Sequence, residues 1–329
     1  MVRATGKIEV KMADSRKSKK KPSRSQKKFV KDLLFSIFVL IIALASYYIG
    51  KNGLPDTDSS SSSVTVEKSE AQEKADTTVE FIDVGQGDST LVCSDGSYML
   101  IDTGDRDSDN TVINHLENEG VEELEYFVIT HMDADHMGEA AEIVDTFEIG
   151  TIITTQMPDS LVPTTAVYEN LLDSMDAKDL KFHAAADESF TLGSCEIQTY
   201  APQGEYSSKN NYSVLVKIIH GENSFLITGD CELEEEAEFL ERNVDLSADV
   251  LKAAHHGSDT SSSSEFLAAV MPSYTVISCG VDNKYGHPDE ETLTRIKKYS
   301  PTVYITAEDG NITFLSDGEG LSVEESGKE

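Results

Sequence analysis

Residues 126–136 read YFVITHMDADH, an apolar strand-like run ending directly in His131, Asp133, Asp135 and His136. A solvated turn uses Asp and Asn, and has no need of two histidines. A metal site needs all four, because imidazole nitrogen and carboxylate oxygen are common ligands for divalent cations. One loop supplies too few ligands, so the fold has to bring others to the same place. If the loop runs extended, side chains alternate. His131, Asp133 and Asp135 then face one way and His136 another, and one loop can serve two adjacent ions.

Three further strand-like runs end in the same residue types: MLIDTG with Asp102, FLITGD with Asp230, and LKAAHHGS with His255 and His256. A single Asp after a strand is usually a turn or a helix cap. Four such ends in one chain point to a shared site, since ligand-binding loops of α/β proteins leave the carboxyl ends of strands. Strands are expected at 79–84, 89–93, 98–101, 126–130, 151–154, 212–219, 224–228, 248–254, 274–278, 302–306 and 311–315. Helices are expected at 110–119, 139–147, 233–242, 264–269 and 289–298. That is too many strands for a simple doubly wound sheet, and two sheets with helices outside fit better.

Charge divides the chain. Residues 1–51 carry 13 Lys/Arg against 3 Asp/Glu, a net of +10, and the remaining 14 Lys/Arg and 57 Asp/Glu give −43. Between them lies LLFSIFVLIIALASYYI, Leu33 to Ile49, at the lower length limit for spanning a bilayer. Lys27, Lys28 and Lys31 flank its start, so the positive-inside tendency puts the N-terminus in the cytoplasm. The expected organisation is a basic cytoplasmic tail (1–31), a transmembrane signal anchor (32–50), a Ser-rich linker (51–76) and one α/β domain outside the cell (77–329). Ala43-Leu44-Ala45 fits a small-x-small cleavage pattern, so secretion after cleavage near Ala45 stands as the alternative. Cys93, Cys195, Cys231 and Cys279 form no CxxC pair, which excludes a zinc knuckle and leaves disulfides or buried thiols open. No helix-turn-helix, Walker loop or dinucleotide fingerprint appears.

LIDTG, HMDADH, LITGD and HHGS, in that order and spacing, resemble the metallo-β-lactamase superfamily. FIDVGQGDS (81–89), NNYS (210–213), HHGS (255–258) and YGHP (285–288) are similar to the β-lactamase-like domain of ComEC-type competence proteins. The resemblance covers roughly Val79 to Leu315, without the multi-span channel domain of those proteins. It implies a four-layer αβ/βα sandwich and two divalent metal ions, zinc or manganese, one of them weakly held. His131 and Asp133 are implied for the first ion; Asp135, His136 and one HHGS histidine, with His255 preferred to His256, for the second. Asp230 is implied as the bridge and Asp102 as a residue behind the ligands. The superfamily usually places a further His before the TGD strand, where this chain has Asn210 and Asn211, so the first site is poorer in nitrogen.

Asp135 and Asp230 are candidates to orient or deprotonate a water, and His287 to contact the substrate or protonate a leaving group. Lys252 is read as balancing an anion or as a solvated edge lysine. Asp83, Gln86 and Asp88 are expected to brace the cleft, with Asn211 and His256 close to the substrate or the ligands. His115, His183 and His220 match no motif and are read as structural. The acidic segment 230–241 reads as a helix start with a solvated face.

The expected activity is a membrane-tethered extracellular phosphodiesterase, with a competence-type DNase as one form of it. Strong negative charge opposes a polyanionic substrate at range, which makes small or cell-wall phosphodiesters rivals to DNA. A lactam or lactone hydrolase of the same fold, or a binding module with a degenerate metal site, are the alternatives.

Overall fold

The computed structural model describes residues 76–106 and 110–327. The expected basic tail, anchor and linker lie outside the described residues, Asp76 excepted. Among the described residues no helix is long and apolar enough to cross a membrane.

In chain order the first strands are β1 (Thr77–Phe81), β2 (Thr90–Ser94), β3 (Ser97–Ile101), β4 (Glu123–Ile129), β5 (Glu148–Thr154) and β6 (Phe182–Ala184). A second set follows: β7 (Glu188–Leu192), β8 (Cys195–Tyr200), β9 (Leu215–His220), β10 (Asn223–Ile227), β11 (Val250–Lys252), β12 (Tyr274–Ile277) and β13 (Thr302–Ile305). The chain then returns to the first set with β14 (Ile312–Ser316) and β15 (Leu321–Glu325). One sheet has the order β15-β14-β1-β2-β3-β4-β5-β6, the other β13-β12-β11-β10-β9-β8-β7. β3 to β6 run parallel, as do β10 to β13.

Four layers follow from three apolar clusters, and the strand alternation explains them. Met99 and Ile101 of β3 and Val128 of β4 point between the sheets, where they meet Val216, Ile218, Phe225, Ile227, Val250 and Val276. Leu100, Phe127 and Ile129 point outward, against α1 (Thr111–Asn118), α3 (Ala140–Thr146) and α4 (Ala166–Ala177). On the far face Leu226, Leu251 and Ile277 pack on α5 (Leu233–Arg242), α6 (Ser264–Val270) and α7 (Glu290–Tyr299). Strands buried on both faces read as continuous apolar runs, which is why these were visible in the sequence. Two short helical turns, α2 (Ala134–Met137) and α8 (Thr306–Asp309), complete the set.

The four cysteines are free. His220 Nδ1 lies 2.8 Å from Ser316 Oγ and His183 Nε2 2.7 Å from Glu188 Oε1. The acidic helix α5 departs from expectation: Glu235 and Glu236 are fully buried rather than solvated. Glu236 accepts the Ser262 and Ser263 amides, so its charge serves the turn before α6.

Phe314 of β14 closes the space between the sheets, with ring centroids 6.0 Å from Phe81, 5.9 Å from Phe225 and 5.5 Å from Tyr274. Phe314→Ala is expected to cost about 3–5 kcal/mol in urea denaturation, through lost transfer energy and the cavity left behind. His115 on α1 lies 3.0 Å from Glu80 of β1, and that hydrogen bond raises the imidazole above its ordinary value. The pair therefore stabilises fully below the unfolded histidine value and fades as pH rises through the raised one. His115→Gln is expected to remove this component, so wild type and variant converge in stability as pH rises above the ordinary histidine value of about 6.5.

Candidate metal centre

The carboxyl ends of the parallel strands from both sheets meet at one edge, and the site is built there. Asp102 follows β3 and Thr130 and His131 follow β4; Asp230 follows β10, and His255 and His256 follow β11. The loop does not stay extended after His131. Asp133 begins α2, so Asp135 and His136 lie on a helical turn and the expected alternation ends at Asp133.

Asp102 fixes the loop from behind. Its Oδ1 accepts the Thr130 amide at 2.8 Å and its Oδ2 the Thr130 hydroxyl at 2.7 Å. The same Oδ2 lies 2.8 Å from His136 Nδ1. Held at Nδ1, His136 turns Nε2 to within 3.1 Å of Asp230 Oδ1. His256 is held the same way: Nδ1 lies 2.9 Å from the Ser278 carbonyl and 3.2 Å from Asp88 Oδ1. Its Nε2 lies 3.4 Å from Asp135 Oδ2 and 3.6 Å from Asp230 Oδ1. His131 Nε2 approaches the other oxygen of Asp230, Oδ2, at 3.8 Å. Asp230 is thus the hub, its own amide donating to Ser213 Oγ at 3.0 Å.

Burial and charge set the chemistry. His131, His136 and His256 are buried, as are Asp88, Asp102 and Asp230. Burial alone would raise the Asp230 carboxyl, yet the His136 and His256 imidazoles hold it well below the usual carboxylate range. Burial would lower His136, but Asp230 and Asp102 push it well up. Asp230 and Asp88 likewise carry His256 up to about 10 against its burial. His131 is lowered, by burial and then by neighbouring His136.

The donor set fits a divalent cation. His131 Nε2, His136 Nε2, His256 Nε2 and Asp230 Oδ1 are buried and make no hydrogen bond. Buried polar atoms almost always find partners, so inward-facing donors left without one are where a cation completes the structure. Donor atoms of His131, His136 and Asp230, and again of Asp135, His136 and His256, all lie within 4.8 Å of one another.

The remaining expected residues divide. Lys252 is no edge lysine: fully buried on β11, it pairs with Asp88 at 2.6 Å and donates to the Ala253 carbonyl at 2.8 Å. His255 is the main departure. The place beside Asp135 goes to His256, while His255 is partly exposed, with Nε2 3.7 Å from Asp230 Oδ2. The reason is backbone: both histidines are left-handed (φ 49 and 53), which splays adjacent side chains apart. That conformation costs about 1–2 kcal/mol per non-glycine residue. Asp133 is ion-paired with Lys209, a residue the motifs did not flag, and its Oδ2 lies 4.0 Å from His131 Nε2. Asp83 shapes its own loop, accepting the Gly85 amide at 3.2 Å. Asn211 is buried and clamps Glu232 rather than reaching the cluster. Gln86 accepts the Gly280 amide at 3.2 Å.

Of the two glycines of FIDVGQGDS, Gly87 has a packing role. A Cβ on Gly87, at φ +143, would sit 2.4 Å from the Asp135 carbonyl oxygen, so only glycine lets this loop lie on the metal-binding turn. His287 overhangs the cluster, its ring 5.6 Å from His255 and 6.3 Å from His256. Its Nδ1 is buried without a partner, and burial, then His256, lower its pKa.

The family model described as the metallo-beta-lactamase superfamily matches residues 82–281. ComE operon protein 3 of Bacillus subtilis is 30% identical over 266 residues, 72% of this chain and 32% of that protein. Recombination protein 2 of Haemophilus influenzae is 28% identical over 71% of this chain and 28% of its own length. The chain thus spans about a third of the length of these curated relatives. Among solved structures, the metallo-beta-lactamase fold protein YhfI of Bacillus subtilis superposes with a TM-score of 0.47 at 12% identity, covering 73% of this chain and 100% of that one.

The Asp88–Lys252 pair generates a prediction. Lys252→Met leaves Asp88 buried without its cation and is expected to cost about 3–5 kcal/mol in urea denaturation. The double variant Asp88→Asn with Lys252→Met removes both charges, and is expected to regain most of that loss.

Proposed function

The chain belongs to the metallo-beta-lactamase superfamily, and from that premise we propose that it is a metal-dependent phosphodiesterase whose substrate is DNA. The observation that carries the hydrolytic reading is the Asp230 carboxylate, set among three imidazole Nε2 atoms and making no hydrogen bond through Oδ1. DNA as the substrate draws on Recombination protein 2, a relative whose name speaks of a process that handles DNA.

His131, Asp135, His136, Asp230 and His256 would hold the cation, which supplies a water made nucleophilic near neutral pH and polarises the phosphoryl oxygen under attack. The protein's own groups do the rest. Asp102 and the Ser278 carbonyl keep the proton on Nδ1 of His136 and His256, so that each Nε2 offers its lone pair inward. Asp135 and Asp230 would orient the attacking water by accepting its hydrogen bonds. His287, neutral at working pH because its pKa is lowered, does not repel the cation and offers a ring N–H to a phosphoryl oxygen. Zinc or manganese suits the mixed nitrogen and oxygen donors. The overlapping donor groups His131–His136–Asp230 and Asp135–His136–His256 support a catalyst over a degenerate binding module.

The long-range field of an acidic chain opposes a polyanion, which keeps small phosphodiesters as the second reading. Leu33–Ile49 would tether the enzyme to the membrane with residues 77–329 outside; mature protein beginning at Ser46 would overturn the tether.

The test uses the full-length protein loaded with Mn2+ or Zn2+, assayed on single- and double-stranded DNA and on bis(p-nitrophenyl) phosphate beside a chelator control. Cleavage of DNA that the chelator abolishes is the expected result; cleavage of the small diester alone moves the substrate to small phosphodiesters. No cleavage of either ends the phosphodiesterase reading. His287→Ala is expected to lower turnover about 10²–10³-fold, as loss of one preorganised donor does, with bound metal unchanged.

A further inference from the structure

The segment between β12 and α7 overhangs the metal-binding edge, and its residues 280–288 read GVDNKYGHP. Asn283 clips this loop shut. Its Nδ2 donates to the Gly280 carbonyl at 3.0 Å and the His287 carbonyl at 2.6 Å, and its Oδ1 accepts the His287 amide at 2.9 Å. Gly286, at φ +75, turns the chain inside the clip. Tyr285 is held out by it, 55% exposed, with Val281 62% exposed on the same loop. Of the five large apolar side chains exposed among the described residues, these are two, and Tyr285 is the only aromatic.

The exposed ring is joined to the centre by stacking. Tyr285 and His287 have centroids 5.6 Å apart and planes 21° apart; His287 and His256 have centroids 6.3 Å apart and planes 28° apart. A file of three rings thus runs from a candidate ligand to solvent. Lys284 adds a cation at the outer end, its Nζ 4.8 Å from the Tyr285 centroid. A hydrogen bond to Tyr285, and then the Asp105 and Asp135 carboxylates, raise this exposed ammonium. The lysine therefore stands within electrostatic range of Asp135, itself a candidate ligand. An exposed aromatic face with a cation beside it is how proteins hold single-stranded nucleic acid, the base on the ring and the backbone on the positive charge.

We propose that Tyr285 is a stacking platform for an unpaired nucleobase beside the phosphate under attack, and that Lys284 contacts a neighbouring phosphate of the same strand. The proposal rests on the reading of this centre as a phosphodiesterase acting on DNA, and it narrows the substrate to single strands or unpaired ends. A paired base keeps its faces inside the duplex stack and has none to offer Tyr285. The Asn283 clip presents the ring already in place, which spares the cost of ordering the loop on binding. Lysine has a flexible stem, so Nζ passes from the ring to a phosphate as the base arrives. Stacking accepts any base, because every base has a π-face.

Full-length, metal-loaded protein is titrated into fluorescein-labelled phosphorothioate strands, which resist hydrolysis, and binding is read by anisotropy. The strands are an oligothymidylate, an abasic strand of equal length, and a duplex. Wild type is expected to bind the oligothymidylate about 5–150-fold tighter than the abasic strand, the range that one stacked base gives. Tyr285→Ala is expected to abolish that preference by weakening the oligothymidylate alone, and Tyr285→Phe to keep it. Lys284→Gln is expected to weaken both single strands alike and to reduce the slope of affinity against salt by about one. Equal affinity of wild type for the two single strands, no binding of the oligothymidylate, or a Tyr285→Ala variant that binds as wild type does or weakens every strand equally overturns the proposal. The wild-type comparison decides even if the variant fails to fold. Cleavage of unmodified DNA is followed in parallel. Base-dependent binding without cleavage ends the phosphodiesterase reading and leaves the platform standing; chelator-sensitive cleavage without base-dependent binding does the reverse.

Discussion

A fully buried ammonium faces a fully buried carboxylate where the two sheets meet, and the site is arranged around that pair. Lys252 comes from β11 of one sheet and Asp88 from the loop after β1 of the other. Three further carboxylates gather around the His136 and His256 imidazoles beside it: Asp102, Asp135 and Asp230. Like charges that close, out of water, are mutually destabilising unless cations stand between them. Lys252 and the imidazoles supply that positive charge from the protein, and Asp88 passes its share on to His256 at 3.2 Å. The pair therefore ties a loop of one sheet to a strand of the other directly behind the candidate ligand His256.

The same economy of cations answers part of the electrostatic objection to an anionic substrate. After residue 51 the chain carries 14 Lys/Arg against 57 Asp/Glu. Two of those lysines, Lys209 and Lys252, stand on aspartates of the metal-binding edge. Far from the protein the net charge dominates; within a few ångströms of the site the local arrangement does, because screening removes distant charges first.

The inner strands were legible because both faces are buried and nearly every residue in them is apolar. β7, β8 and β15 were not, because each alternates apolar and polar residues, as in ESFTL, CEIQTY and LSVEE, and gives no apolar run. α4 was missed as well; AVYENLLDSMDA mixes exposed acids into its buried face. At the site, His131, Asp135, His136, Asp230 and Asp102 could be found because each follows a strand. The choice between His255 and His256 was not readable, since it turns on two left-handed residues that no spacing rule anticipates. Lys209, Glu232 and Thr130 act through contacts across 76, 21 and 28 residues of sequence, beyond the reach of any local motif.

Strand order also makes the metal centre a late product of synthesis. β1 lies between β2 and β14, and β14 comes from residues 312–316, more than fifty residues after His256. The loop bearing Asp88 springs from β1, so it hangs from a strand whose second neighbour is made only after His256. A nascent chain long enough to hold every candidate ligand from His131 to His256 still lacks the strand that pairs with β1 on its other side. Ligand possession and ligand alignment are thus separated in time, and an interrupted translation product carries the donors without the frame that aims them.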